Sequence, residues 1–296
     1  MTFAEKLKSA RKEAKMTQEA LAEKLGVSRQ AITKWETDRG LPDIENMMII
    51  SNLFGISVDE FLSQEINTVK KPGYLYESVT EYDIDGKKNF DMKLGGAHTI
   101  ELCTAESEKI KIIVGSDTIS DINAMIKVKL DDNKSCIDVD TKRNASLTEA
   151  EAKENVFIRV ILPAQFVRDV EMEANCSQFL ATGINCTKIE FDGRVRDVTL
   201  NELTARLEIN CNLDMHIAAN NINGCISLNQ LSATSVITVP ENACFKTLIK
   251  GIGNSVHYKK DGVSCDDFSD AESENIIELN GLKSELVIER TERTVR

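Results

Sequence analysis

The sequence predicts a two-part molecule: an all-α domain of five short helices, then an all-β domain with a right-handed β-solenoid-like core. Three observations lead there. Apolar residues recur at helical spacing through residue 65, and switch to alternation after residue 73. From Val170 onward, alternating apolar pairs repeat at intervals of 19, 18 and 19 residues. A β-sandwich is the alternative for the second part, because strands spaced by about 8–12 residues also describe one. The expected divisions are 1–65 for the helical domain, 66–75 for a linker and 76–296 for the β-rich domain, with repeats around 165–260.

Phe3, Leu7 and Ala10 give the first helix an apolar face. Thr17 is placed to cap the second, whose apolar positions Ala20, Leu21 and Leu25 end at Gly26. Ser28 caps a third helix running through Ala31, Ile32 and Trp35. Pro42-Asp43 starts a fourth, "DIENMMIISNLFG", stopped by Gly55. Ser57 and Glu60 form a capping box before Phe61 and Leu62 of the fifth. The second and third helices, joined by a tight glycine-containing turn at "LGVS", make a helix-turn-helix.

The stretch "MTQEALAEKLGVSRQAITKWETDRGLPDIENMMIISNLFGISVDEFL" resembles the Cro and phage-repressor type of helix-turn-helix, the XRE family of regulators. The resemblance covers about one fifth of the chain. It implies double-stranded DNA as partner, with the third helix in the major groove and Ser28, Arg29, Gln30, Thr33 and Lys34 as contact residues. Arg29 suits a guanine edge, because its fork donates to O6 and N7 together; Gln30 suits adenine, because its amide donates and accepts. Lys34 suits a phosphate. Thr17 and Gln18, at the start of the second helix, fall where the family meets the DNA backbone. The plain alternative is a row of solvated polar side chains. Agreement of caps, turn and register argues against it for the module as a whole.

Beyond residue 73 the candidate strands are 89–94, 99–104, 109–114, 125–130, 135–140 and 156–162. The segment "SLTEAEAKEN" fits a short helix or a polar hairpin loop. Then come the repeating pairs Val170/Met172, Ile189/Phe191, Leu207/Ile209 and Ile226/Leu228, with a second series Phe179, Val198, Ile217 and Val236. Two interleaved strand positions per turn of about 19 residues favour a solenoid, in which each coil buries its apolar residues on the next. From "VFIRVILPAQFVRDVEMEA" to "VITVPENACFKTLIKGIG" the chain resembles the putative-adhesin β-solenoid domain, with Asn and Cys where that family often has Gly. Asn tolerates turns and ladders between coils; Cys fills tight inward corners.

The net charge of −12 divides unevenly. Residues 1–65 hold nine Lys/Arg against eleven Asp/Glu, and all nine bases lie between Lys6 and Arg39 beside five acids. The acidic remainder would suppress nonspecific phosphate binding. The eight cysteines form no C-x-x-C, so no zinc ribbon or thioredoxin-type pair is written, and buried structural thiols are expected over a redox sensor. With three His and no H-E-x-x-H, G-x-S-x-G or P-loop, the chain carries no catalytic signature. No catalytic residue, cofactor or metal is expected. No apolar run approaches about 18 residues and the N-terminus lacks a signal-peptide core, so the expected location is cytoplasmic, without membrane contact. The function expected is sequence-specific transcriptional regulation by a dimer or higher homo-oligomer on a palindromic operator. The β domain would supply self-association, through an exposed strand edge, or bind an effector or protein partner. The alternative is an antitoxin or similar regulator whose solenoid binds a partner protein.

Overall fold

The computed structural model describes residues 7–8, 10–12, 16–36, 40, 42–54, 73–221 and 223–291. The chain divides into two compact units, Met1–Pro72 and Gly73–Arg296.

In the first unit, residues 7–8 and 10–12 are helical, followed by α1 (Gln18–Leu25), α2 (Arg29–Glu36) and α3 (Ile44–Phe54). Local chemistry sets these boundaries. The Ala20 N–H donates to Thr17 Oγ1 at 3.1 Å, and the Ala31 N–H to Ser28 Oγ at 3.2 Å, so each cap residue satisfies an N–H that helix geometry orphans. Gly26 ends α1 at φ +67°, a conformation that costs glycine little, and returns its N–H to the last turn. The Asn46 N–H donates to Asp43 Oδ1 at 2.8 Å at the start of α3. Leu7, Ala10, Leu21, Ala22, Leu25, Ile32, Trp35 and Ile50 form one core, with Trp35 packed inside it as its position at the end of α2 suggested. The fifth expected helix (Ser57, Glu60, Phe61, Leu62) and most of the expected 66–75 linker lie outside the described residues.

Among its described residues the second unit is all-β apart from two short α-helices, α4 (Ile122–Met125) and α5 (Glu149–Asn155), and one 3-10 turn at Ala164–Phe166. α5 resolves the "SLTEAEAKEN" alternatives as a helix with a full capping box, Thr148 and Glu151 bonding reciprocally. Sixteen strands join one open hydrogen-bonded network. In chain order they are β1 (Tyr76–Asp83), β2 (Lys88–Ala105), β3 (Lys109–Ser116), β4 (Ile126–Asn133), β5 (Cys136–Arg143), β6 (Phe157–Pro163), β7 (Val167–Arg194) and β8 (Asp197–Asn210). Then follow β9 (His216–Ala219), β10 (Asn223–Leu231), β11 (Thr234–Pro240), β12 (Lys246–Ile252), β13 (Ser255–Lys260), β14 (Val263–Cys265), β15 (Ile276–Leu282) and β16 (Glu285–Thr291). β1 and β3 pair antiparallel ahead of β6, and β4 antiparallel to β5. From β2 onward the pairing is parallel until the terminal β14. Two of the segments expected separately, 89–94 and 99–104, belong to the single long β2.

Parallel registers carry the periodicity into space. Phe179 faces Val198 and Val198 faces Ile217, each 19 residues apart. Ile189 faces Leu207 at 18, because β7 carries a register shift between Asn185 and Lys188. Leu207 then faces Ile226, and Ile209 faces Leu228. All of these side chains are buried in one core. One position differs from expectation: Ile217 faces Ile237, not Val236. An extra residue enters at the corner after β10, where Ser232 sits at φ +52°, and slides the inward position by one. Asn side chains ladder between the parallel strands, Asn280 Nδ2 donating to Asn229 Oδ1 at 3.1 Å and Asn229 Nδ2 to Asn210 Oδ1 at 2.5 Å. Asn175-Cys176 lies within the long β7, opposite Gly96 and Ala97 and beside the register shift at Lys93/Gly95, where Gly95 sits at φ +64°.

The two ends of the stack differ. At the front, Lys88 points inward, 3% exposed, and pairs with Asp85 at 3.0 Å and Asp132 at 2.5 Å. At the back, among the described residues β12 pairs only with β15, and Ile249 and Ile252 are 53% and 75% exposed.

Candidate nucleic-acid interface

α2 separates its side chains by period. Ile32, Trp35 and Glu36 are buried, whereas Ser28, Arg29, Gln30, Thr33 and Lys34 are exposed on the other side. Arg29 lies 3.7 Å from Glu19 of α1, with both side chains mostly solvated, so the pair is weak and readily opened. Thr17 is exposed beside it, its hydroxyl engaged in the cap.

Beneath this row lies a polar network that spacing did not reveal. Arg11 grips Glu36 with both edges of its fork, Nε to Oε1 at 2.6 Å and Nη2 to Oε2 at 2.9 Å, while Nη1 donates to the Met16 carbonyl at 2.8 Å. Gln18 Nε2 donates to Glu36 Oε2 at 2.9 Å, and Thr33 Oγ1 lies 3.3 Å from Gln18 Oε1. The Glu36 side chain is 1% exposed and that of Arg11 11%. Burial alone would raise the Glu36 pKa; the hydrogen bonds from Arg11 and then Gln18 outweigh it and hold the carboxyl below its usual range. The result is a fixed Gln18 amide at the start of α1, tied to the exposed helix through Thr33 and Glu36. Arg11 and Glu36 are 25 residues apart. The one available hint was a carboxylate next to Trp35 on the apolar side of the helix.

Residues 7–61 match the helix-turn-helix family model. The N-terminal module is a helix-turn-helix domain of the XRE type. Over 65 residues this domain is 49% identical to the HTH-type transcriptional activator BcrR of Enterococcus faecalis, covering 22% of this chain and 32% of that protein. Over 84 residues it is 34% identical to the immunity repressor protein of Bacillus phage phi105, covering 28% of this chain and 58% of the repressor. The HTH-type transcriptional regulator ImmR of Bacillus subtilis (strain 168) is 30% identical over 82 residues, 27% of this chain and 65% of that one. The match therefore spans less than two thirds of each of these relatives. The β unit resembles a "putative cell adhesion protein" from Clostridium sporogenes at 12% identity and TM-score 0.39, covering 72% of this chain and 98% of that one. A "putative adhesin" from Parabacteroides merdae gives 10% identity and TM-score 0.29, over 72% and 96%.

In the β unit, a cleft of about 810 Å³ is lined by Lys87, Thr104, Glu106, Arg168, Asn185 and Cys186, among others. Among the described residues no group of three or more His, Cys, Asp or Glu is arranged to hold a metal ion, and no helix is long and apolar enough to cross a membrane. The cysteines do not behave alike. Burial pushes Cys176 up to about 12 and Cys103, Cys136 and Cys186 up to about 11. Cys176 and Cys211 sit in the core, but Cys244 and Cys265 are exposed, contrary to a uniformly buried set. A thiolate is the reactive form, so a disulfide reagent at pH 7–8 should modify the exposed Cys244 and Cys265 first, the half-buried Cys103, Cys136 and Cys186 more slowly, and the buried Cys176, Cys211 and Cys225 last. Thiol titration before and after guanidinium checks this. Rapid labelling of Cys176 in the folded chain would contradict its burial.

Proposed function

We propose that this protein is a sequence-specific DNA-binding transcriptional regulator acting as a homodimer on a palindromic operator. The observation that carries the reading is the exposed row Arg29, Gln30, Thr33 and Lys34 on the second helix of a helix-turn-helix domain, beside a Gln18 amide fixed by the Arg11–Glu36 pair. Arg29 and Gln30 read base edges; Lys34, Gln18, Thr17 and Ser28 hold the phosphate backbone. Half-sites one helical turn apart, about 34 Å, require two heads held together. The β unit serves that purpose or receives an effector or protein partner. Parallel ladders with offsets of 18–20 residues support reading it as a β-solenoid, and the apolar edge of β12, unpaired among the described residues, is its candidate docking edge.

Selection of a preferred site from random duplex DNA by the purified chain tests the reading. A palindromic consensus is the expected result; binding without sequence preference would remove the specific-regulator reading. On the selected site, Arg29→Ala should weaken binding by about 1–3 kcal/mol and relax one base position per half-site. Unchanged affinity and unchanged consensus would take Arg29 out of the readout.

A further inference from the structure

Chain order and stacking order disagree at the back of the β unit. Outward from β10 and β11, the next strands are β15 and β16, and only then β12 and β13. The last described strands therefore fill a slot whose two walls both precede them in sequence.

Those walls are in register with each other. Cys225 and Lys246 both face Ile276, and Thr234 and Ser255 both face Glu285, so the walls differ by 21 residues on both strands. The corners agree as well: Ser232, Lys283 and Gly253 occupy matching positions at φ +52°, +52° and +70°. A Cβ on Gly281 would lie 1.8 Å from the Gln230 carbonyl oxygen, and one on Gly251 would lie 1.9 Å from that of Gly281. Moved directly onto β10 in the 21-residue register, Gly251 would take the place of Gly281 over Gln230. Thr247 and Ile249 would then meet Ile226 and Leu228. The step of 21 is one residue longer than the 20 between β9 and β11, so β12–β13 has the form of the next coil, displaced outward by one strand spacing. The slot can thus close when residues 276–291 leave it, which keeps the core covered.

We propose that residues 276–291 are exchanged between two copies of this chain, each filling the slot of the other. This rests on the self-association reading above and names its means. Phe268 stays with its own coil, its ring 6.1 Å from that of Phe245 and 5.0 Å from that of Tyr258. Asn275 belongs to the inserted segment: its Oδ1 accepts from the Gly224 N–H, and its carbonyl from the Lys246 N–H, both at 2.9 Å. Asp270 also stays with that coil, its N–H donating to the Phe245 carbonyl at 2.7 Å, so the hinge is Ala271–Glu274, a run without Gly or Pro that spans about 13 Å when extended. Short hinges favour exchange. The exchanged form regains every contact of the slot, including Lys250 Nζ to Glu278 Oε2 at 2.9 Å and Ser227 Oγ to Glu278 Oε1 at 3.1 Å. It also buries Ile277, Leu279, Leu286 and Ile288 as before, so the copies are joined by an interior already formed.

The test uses a native thiol. Cys225 faces residue 276 across one strand spacing, about 4.8 Å, within disulfide reach. Ile276→Cys is placed in the full chain with Cys244 and Cys265 replaced by serine. Asn229→Cys with Asn280→Cys, side chains that already touch, gives a second pair. Light scattering reports the oligomeric state, and non-reducing denaturing gels report the links formed on oxidation. Exchange predicts a dimer whose chains become covalently joined. A dimer with links only inside each chain would overturn exchange and leave docking of strand edges as the means of association. A monomer with internal links would overturn exchange and the dimer reading together. Absence of a link from the half-exposed Asn229→Cys/Asn280→Cys pair, with its thiols titrating as reduced, would refute the slot pairing itself and the proposal with it.

Discussion

Glu36→Ala is expected to destabilise the N-terminal unit by about 3–5 kcal/mol, because it leaves the Arg11 guanidinium buried without its partner. The relevant loss is not the attraction alone. Arg11, 11% exposed, would keep one hydrogen bond to the Met16 carbonyl and lose both to the carboxylate. A unit of this size has only a few kcal/mol in reserve, so the variant should be largely unfolded at 37 °C. Replacing both partners by apolar residues, Arg11→Met with Glu36→Leu, should recover much of the loss, since no buried charge then remains. The head of the double variant would still bind DNA less well, because Gln18 loses the carboxylate that positions it. Helical signal in a urea titration of the full chain is the measurement; a Glu36→Ala shift below about 0.5 kcal/mol would show that the pair is not buried in solution.

The same pair sets an acid limit. The Glu36 pKa is depressed in the folded state, so its stabilisation is present above the unfolded value, about 4.3, and is lost as pH falls below it toward the folded value. The helical unit should therefore lose stability below about pH 4.5, a loss that the double apolar variant should largely escape.

Phe191→Ala should cost the β unit about 3–5 kcal/mol. Phe191 is fully buried, its ring centre is 5.1 Å from that of Phe179, and it stacks in register on Ile209. Neighbouring coils hold the backbone above and below, so the wall of the resulting cavity cannot collapse far. Ile249→Ala offers an internal contrast. It occupies the matching inward column, but at the open end of the stack and 53% exposed, and should cost under about 1 kcal/mol. The midpoint of the strand-specific unfolding transition distinguishes the two. Equal costs would mean that position along the stack does not govern burial.

Much of this architecture was legible because its causes are local. Thr17, Gly26 and Ser28 act on backbone groups within four residues, and Thr148 on Glu151 within three, so caps and turns could be read directly. Inward positions such as Leu207, Ile209, Ile226 and Leu228 repeat because parallel strands in register stack like residues on like. The series slipped at Val236 because Ile237 is equally apolar; only the Ser232 corner decides which of them turns inward. The exposed face of α2 followed from helical period alone, given that Ile32 and Trp35 had to be buried.

By itself the sequence determined the boundaries of α1 and α2, the outward row on α2 and the 19-residue rhythm of the strands, since each depends on neighbours or on a repeated pattern. The tertiary structure alone decided the Arg11–Glu36–Gln18 network, the burial of Lys88 between Asp85 and Asp132, and the placing of β15 and β16 between earlier strands. Residues 225–240, 246–260 and 276–291 each hold two parallel-paired strands in matching register, and any of them satisfies the same local rules. Their stacking order is set by summed packing and pairing across the whole end of the domain, a sum that no single segment contains.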